Sequence, residues 1–242
     1  MRFRNRELNI FSMSALDLFA SALGAFILIS IVLMPYFLRP PPTKIETRVP
    51  KLDLVIALDT TGSMRQQVAG LRSEIVQLTQ ILHKLSPSLA VGVIDFKDRC
   101  EGRRAVRGFS LRHMTPATLS SLVSFTRTMR AGGSRCNPDP PEALAAALDA
   151  AIASNWRAES ASKVIVIITD QPAYPHRQAH AFGAARAFAA RGEAFKVSTV
   201  FAATGPRARG REFLRRLASA GSGEFVRAGG SFTAAVLLAV MR

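Results

Sequence analysis

The chain opens with a polar, basic stretch and then runs from Leu18 to Met34 without a charge. Extended to Leu38, this run has about the 20 residues that a helix needs to cross roughly 30 Å of hydrocarbon. Pro35 is tolerable in a last turn, and Arg39 with Pro40, Pro41 and Pro42 stops the helix. Residues 1–13 read as a tail, 14–38 as a transmembrane helix and 39–50 as a short, stiff linker rich in proline. From Leu52 the pattern changes. Leu52 to Leu58 is an apolar run ending at Asp59, the signature of a buried strand. Met64, Val68, Leu71, Ile75, Leu78 and Leu82 then recur at spacings of four and three, which predicts an amphipathic helix.

Strands follow at Leu89 to Phe96, Val106 to Leu111 (a short antiparallel edge), Val164 to Ile168, Phe195 to Phe201 and Glu224 to Val226. Helices are expected at Thr115 to Met129, Pro141 to Ser154, Arg177 to Arg191, Arg209 to Ala220 and from Ser231 onward. Strands alternating with helices, and strands that are apolar throughout, imply an α/β fold: a doubly wound, mostly parallel central sheet covered on both faces, over residues 51–242. In such sheets ligands bind beyond the carboxyl ends of the strands. Asp59 and Asp170 both stand at such ends and are expected on one rim.

Composition narrows the class. The hydrophobic share is 48% and the charged share 20%, so the chain can bury a core. With 2 cysteines it is no disulfide scaffold, and their spacing lacks a structural zinc pattern. Lys and Arg total 32 against 17 acids, a formal charge of +15. Ten Lys/Arg and three Glu lie between Arg177 and Arg227. That face suits anionic lipid or acidic polymer, or is simply solvated; nucleic acid is the weakest option in the expected compartment.

Arg2, Arg4 and Arg6 precede the apolar run, and Arg39 and Lys44 follow it. The bias predicts a cytoplasmic N-terminus and an outer domain on the far side of a bacterial inner membrane. A cleaved signal peptide is the rival, but no small-x-small site follows the run. Asp17 begins the span, and an acid at membrane depth is a functional hypothesis by default; its alternative is a headgroup-level acid at a helix N-terminus. Ala20 with Gly24 and Ser21 with Ala25 form small stripes suited to close helix packing. The segment FSMSALDLFASALGAFILI resembles the single transmembrane helix of ion-channel B subunits of the MotB, ExbD/TolR and Zorya ZorB type. The resemblance implies that Asp17 carries a proton or Na⁺. It implies a multi-span MotA/TolQ/ExbB-like partner, self-association as a dimer, and, through the Zorya likeness, a place in anti-phage defence. The outer domain shows no peptidoglycan-binding OmpA-like pattern.

Asp59, Thr61 and Ser63 are spaced two apart across a turn that Gly62 permits. One carboxylate and two hydroxyls are hard oxygen donors, suited to Mg²⁺ first, and to Mn²⁺ or Ca²⁺, rather than Zn²⁺. Asp170 would add a second carboxylate, and an acidic group from a protein partner would fill an open position. The alternative is that Asp59 and Ser63 only cap the next helix. This stretch resembles the von Willebrand factor type A (vWA) family. Asp59, Thr61 and Ser63 match its D-x-[ST]-x-S metal-ion-dependent adhesion site, and Ile168-Thr169-Asp170 matches a later strand end whose Asp reaches the metal. Gly132-Gly133 through Asp139-Pro140-Pro141-Glu142-Ala143-Leu144 is similar to a loop of bacterial members that often supplies a Thr ligand. No Thr stands here, so the resemblance leaves Asp139 or Ser134 in that role.

Cys100 and Cys136 fall in two loops expected on the same rim and form a candidate disulfide outside the cytoplasm, or two free thiols. His176 and His180 would share a face if both were helical, against which Pro175 weighs; a surface role is expected. No nucleotide-binding, metalloprotease or hydrolase motif occurs, and no nucleophile–base pair is evident, so no catalysis is expected.

Overall fold

A computed structural model describes residues 13–37, 50–98, 105–132, 143–202 and 209–241. The chain forms two compact units, Met1–Glu46 and Thr47–Arg242. The first holds helix α1, Met13–Phe37. Within it, Asp17–Met34 is an 18-residue window of mean hydropathy 2.2, long and apolar enough to cross a membrane. Its apolar side chains are exposed, Leu18 at 71% and Phe26 at 68% among them, as a lipid-facing helix requires.

The second unit is a six-stranded sheet in the order β3-β2-β1-β4-β5-β6. The strands are β1 (Lys51–Asp59), β2 (Ser88–Phe96), β3 (Val106–His113), β4 (Ser162–Thr169), β5 (Phe195–Phe201) and β6 (Ser222–Arg227). Only β3 runs antiparallel, against β2 at the sheet edge. The helices are α2 (Arg65–Leu85), α3 (Pro116–Thr128), α4 (Leu144–Ile152), α5 (Pro175–Ala189), α6 (Arg211–Ala220) and α7 (Phe232–Met241). Thr115 caps α3 by accepting from the Thr118 N–H, with Pro116 at the first helical position, where the missing N–H costs nothing.

Alternate residues of the buried strands feed two cores. Leu54, Ile56 and Leu58 pack with the α2 and α7 side, against Leu71, Ile75 and Val236. Val55 and Ala57 face the other way, toward Leu144, Leu148 and Leu217 of α4 and α6. Burial on both faces is why these strands read as continuous apolar runs. The expected mixed sheet with one antiparallel edge strand is the one observed. Boundaries moved slightly: β3 continues to His113, α5 starts at Pro175, and α6 starts at Arg211 rather than Arg209. Pro141 and Glu142, expected to open α4, lie outside the described residues.

The edge opposite the strand carboxyl ends carries a buried ion pair. Asp53 has 0% exposure, and Arg157 donates to it through both its backbone N–H (2.8 Å) and its Nε (2.6 Å). The same guanidinium donates to Ser88 Oγ (2.9 Å) and to the Ser88 carbonyl (2.9 Å). One side chain thereby ties the starts of β1 and β2 to the loop before β4.

Candidate metal centre

Asp59 is the last residue of β1 and is fully buried. Thr60 turns the chain, donating through its N–H (2.8 Å) and hydroxyl (3.1 Å) to the Phe96 carbonyl at the end of β2. The turn brings Thr61 back onto Asp59: the Thr61 N–H (2.8 Å) and hydroxyl (2.7 Å) both donate to Asp59 Oδ1. A single 3₁₀ turn, Gly62–Met64, follows and leads into α2, with Ser63 exposed and Met64 buried as the anchor. Ser63 Oγ lies 3.4 Å from Thr61 Oγ1 and donates to Asp170 Oδ1 at 3.2 Å. Asp170 follows β4 directly and is 3% exposed. Four side chains from two strand ends therefore converge on one point of the rim.

The electrostatics of this cluster are unfavourable as it stands. Burial pushes the Asp59 carboxyl up to about 6, against the hydrogen bonds from Thr169 and Thr61, and the neighbouring Asp170 adds to the rise. Burial also raises Asp170, opposed by the Ser63 hydroxyl. Two buried acids at one spot create a demand for positive charge. The donor geometry suits a small hard cation. Six-coordinate oxygen ligands at about 2.1 Å stand about 3.0 Å apart. The contacts from Thr61 to Asp59 (2.7 Å), Thr61 to Ser63 (3.4 Å) and Ser63 to Asp170 (3.2 Å) bracket that spacing. Among the described residues no three His, Cys, Asp or Glu side chains group together. The set is thus hydroxyl-rich, matched to Mg²⁺, Mn²⁺ or Ca²⁺ and poor for Zn²⁺. Asp59, Thr61, Ser63 and Asp170 are the side chains that fit such an ion.

The N-cap residues of the 3₁₀ turn and of α2, Thr61 and Met64, make no side-chain cap, and the backbone N–H that Asp59 accepts is that of Thr61, ahead of the turn. Asp139, Ser134, Cys100 and Cys136 lie outside the described residues. Gly132, where that loop begins, donates to the Thr60 carbonyl at 2.9 Å and accepts from Lys97 Nζ at 2.6 Å, with φ +84°. The start of the loop is therefore pinned to the Asp59 turn, at a backbone angle that favours glycine.

Thr169 escaped the sequence reading as a site residue. Its hydroxyl donates to Asp59 Oδ2 at 2.6 Å, completing the carboxylate's partners. Leu58 pairs with Ile168 in the parallel register, so Thr169 stands beside Asp59. Gly210 is a second. Its N–H donates to the Asp170 carbonyl at 3.1 Å, and an added Cβ would meet that oxygen at 2.9 Å. His176 and His180 both fall on α5. His180 Nε2 lies 2.8 and 3.0 Å from the two Asp149 oxygens, and the His176 ring packs on Tyr174 at 5.8 Å between centroids.

No family model and no curated protein matches the sequence. Solved structures do. The pilus adhesin SpaC from Lactobacillus rhamnosus GG, in its open conformation, superposes with a TM-score of 0.57 at 13% identity. The match covers 78% of this chain, which spans only 29% of the adhesin. The conserved hypothetical protein BatB from Bacteroides thetaiotaomicron matches with a TM-score of 0.52 at 20% identity, over 78% of this chain and 95% of its own. An aerotolerance-related membrane protein from Bacteroides fragilis does so at 0.52 and 17%, over 78% and 96%. At these identities the likeness is one of fold: a doubly wound, mostly parallel α/β sheet, of the kind the vWA resemblance implies.

Proposed function

We propose that this chain is a membrane-anchored vWA-type binding module. Its sheet domain holds a divalent cation, Mg²⁺ first, at Asp59, Thr61, Ser63 and Asp170, and α1 anchors it. The bound cation supplies a Lewis-acidic seat for a carboxylate of an acidic protein partner. The observation that carries this reading is the convergence of those four side chains, with two buried acids pushed upward, on the rim where doubly wound sheets bind ligands. That its structural neighbours include a pilus adhesin and an aerotolerance-related membrane protein is in keeping with an anchored binding module.

The test is calorimetry on the full-length chain in detergent with Mg²⁺, Mn²⁺ and Ca²⁺. One saturable site is expected in the native chain and none in Asp59→Ala. Absence of binding heat in the native chain would overturn the reading.

The position of Asp17 favours a finer version. It is the one acid at the start of the 18-residue apolar window and is exposed on α1. In this version the chain is the B subunit of an ion-driven complex, dimeric, at the bacterial inner membrane with its sheet domain outside the cytoplasm. Asp17 loads a proton inside a ring of MotA/TolQ/ExbB-like subunits. Co-purification with such a multi-span protein, and loss of function in Asp17→Asn with assembly intact, are the expected results. Full function in that variant would leave the plain anchored adhesion or scaffold module, without ion coupling.

A further inference from the structure

The arginine-rich surface has a definite place in the fold. The first residues of the strands share one edge of the sheet: Lys51 pairs with Ser88, Asp53 with Lys163, Lys163 with Phe195, and Val197 with Ser222. Helices α5 and α6 end at this edge, because each is followed within a few residues by a strand that starts there. Along their C-terminal halves lies an open cleft of about 480 Å³ lined by Phe182, Arg186, Arg215, Arg216, Ser219 and Ala220. Three of the six lining residues are arginines and none is an acid.

Two of these guanidinium groups are held over aromatic rings. Arg215 lies over Phe225 at 5.3 Å and Arg216 over Phe182 at 5.0 Å. Such stacking costs little hydration for arginine, and it leaves the N–H edges free to fork onto a phosphate. Arg215 also donates to Glu212 at 2.9 Å, both exposed. Among the described residues, Arg186 and Arg216 have no carboxylate partner. Arg191, in the turn just after α5 and 5.3 Å over the Phe188 ring, adds to the field.

The chain enters the sheet at Lys51, on this same edge, and the candidate metal centre lies at the opposite one. Twelve residues, 39–50, join it to the apolar span, a reach of about 40 Å at full extension. A basic cleft on the tethered edge thus works at a high effective concentration of headgroups.

We infer that the Arg186–Arg215–Arg216 cleft is a docking site for the phosphates of anionic phospholipid. This rests on α1 being membrane-inserted. The test uses the full-length chain in nanodiscs of phosphatidylcholine, alone or with about 30% phosphatidylglycerol, at physiological salt. Phenylglyoxal modification of each arginine is followed by mass spectrometry. Arg186, Arg215 and Arg216 should react at least about fivefold more slowly in the anionic discs, one basic residue's worth of surface attraction, while Arg72 and Arg127 change by less than twofold. Ser219→Glu, which puts a carboxylate among the three, should abolish that difference. Equal rates in both discs would overturn the inference, as would persistence of the difference in Ser219→Glu. Equal protection by inorganic phosphate in neutral discs would also overturn it, pointing to a free anion instead. A chain that never enters the discs would refute the anchor itself, a separable failure.

Discussion

Asp59→Asn separates the cost of the buried acid from the benefit of a bound cation. The carboxyl is displaced from 3.8 to about 6 by burial. Such a displacement is worth about 3 kcal/mol against the charged folded state at neutral pH. The sign follows from proton counting. Between about pH 4 and pH 6 the folded protein holds a proton here that the unfolded chain has lost, so stability falls as pH rises through that window and stays lowered above it. Asn removes this cost and keeps most contacts. Its Oδ1 still accepts from the Thr61 N–H and hydroxyl. Its amide N–H takes the place of Oδ2 and donates to the Thr169 hydroxyl, which turns its own proton to the Gln171 carbonyl 3.4 Å away. The weaker hydrogen bonding costs about 1 kcal/mol. In EDTA at pH 7.5 the variant should therefore be about 2 kcal/mol more stable than the native chain. With Mg²⁺ at about 100 times its dissociation constant the native chain alone should gain about 2.7 kcal/mol, and the order reverses. Urea unfolding followed by the single tryptophan reads this. Trp156 packs on Phe188 at 5.1 Å, so its signal reports the sheet domain. A variant less stable than the native chain in EDTA, or a native chain whose stability relative to the variant is flat from pH 4 to 7, would refute the reasoning.

Other substitutions test other links. Thr169→Val removes the donor to Asp59 Oδ2 and should weaken Mg²⁺ binding roughly tenfold by calorimetry, with the fold intact by circular dichroism. Arg157→Met strands the buried Asp53 carboxylate and should cost about 3–5 kcal/mol in urea unfolding; restoring most of it with Asp53→Asn in the same chain would confirm the cause. Gly210→Ala drives a methyl to 2.8 Å from the Gln171 carbonyl carbon and should destabilise by about 1–3 kcal/mol while lowering cation affinity, because it displaces the Asp170 backbone.

Much of this protein was legible along the chain because its signals are local. The apolar run after Leu18, the doubly buried strands around Val55 and Ile165, and the four-and-three spacing from Met64 to Leu82 each report one element's own surroundings. From alternation of strands and helices came the sheet class, and from that class the expectation that Asp59 and Asp170 share a rim. The spacing of Asp59, Thr61 and Ser63 needed only a tight turn. What tertiary structure alone decided depends on register and on neighbours distant in sequence. That Thr169 completes Asp59 follows from β1 and β4 pairing Leu58 with Ile168, which no local pattern encodes. Arg157 reached Asp53 across 104 positions. Likewise ten basic residues in a row of elements read as a diffuse face, until the folding of α5 beside α6 set Arg186 next to Arg215 and Arg216 at the edge where the chain enters. Local periodicity specifies which side of an element is buried; only the packed sheet specifies what each side meets.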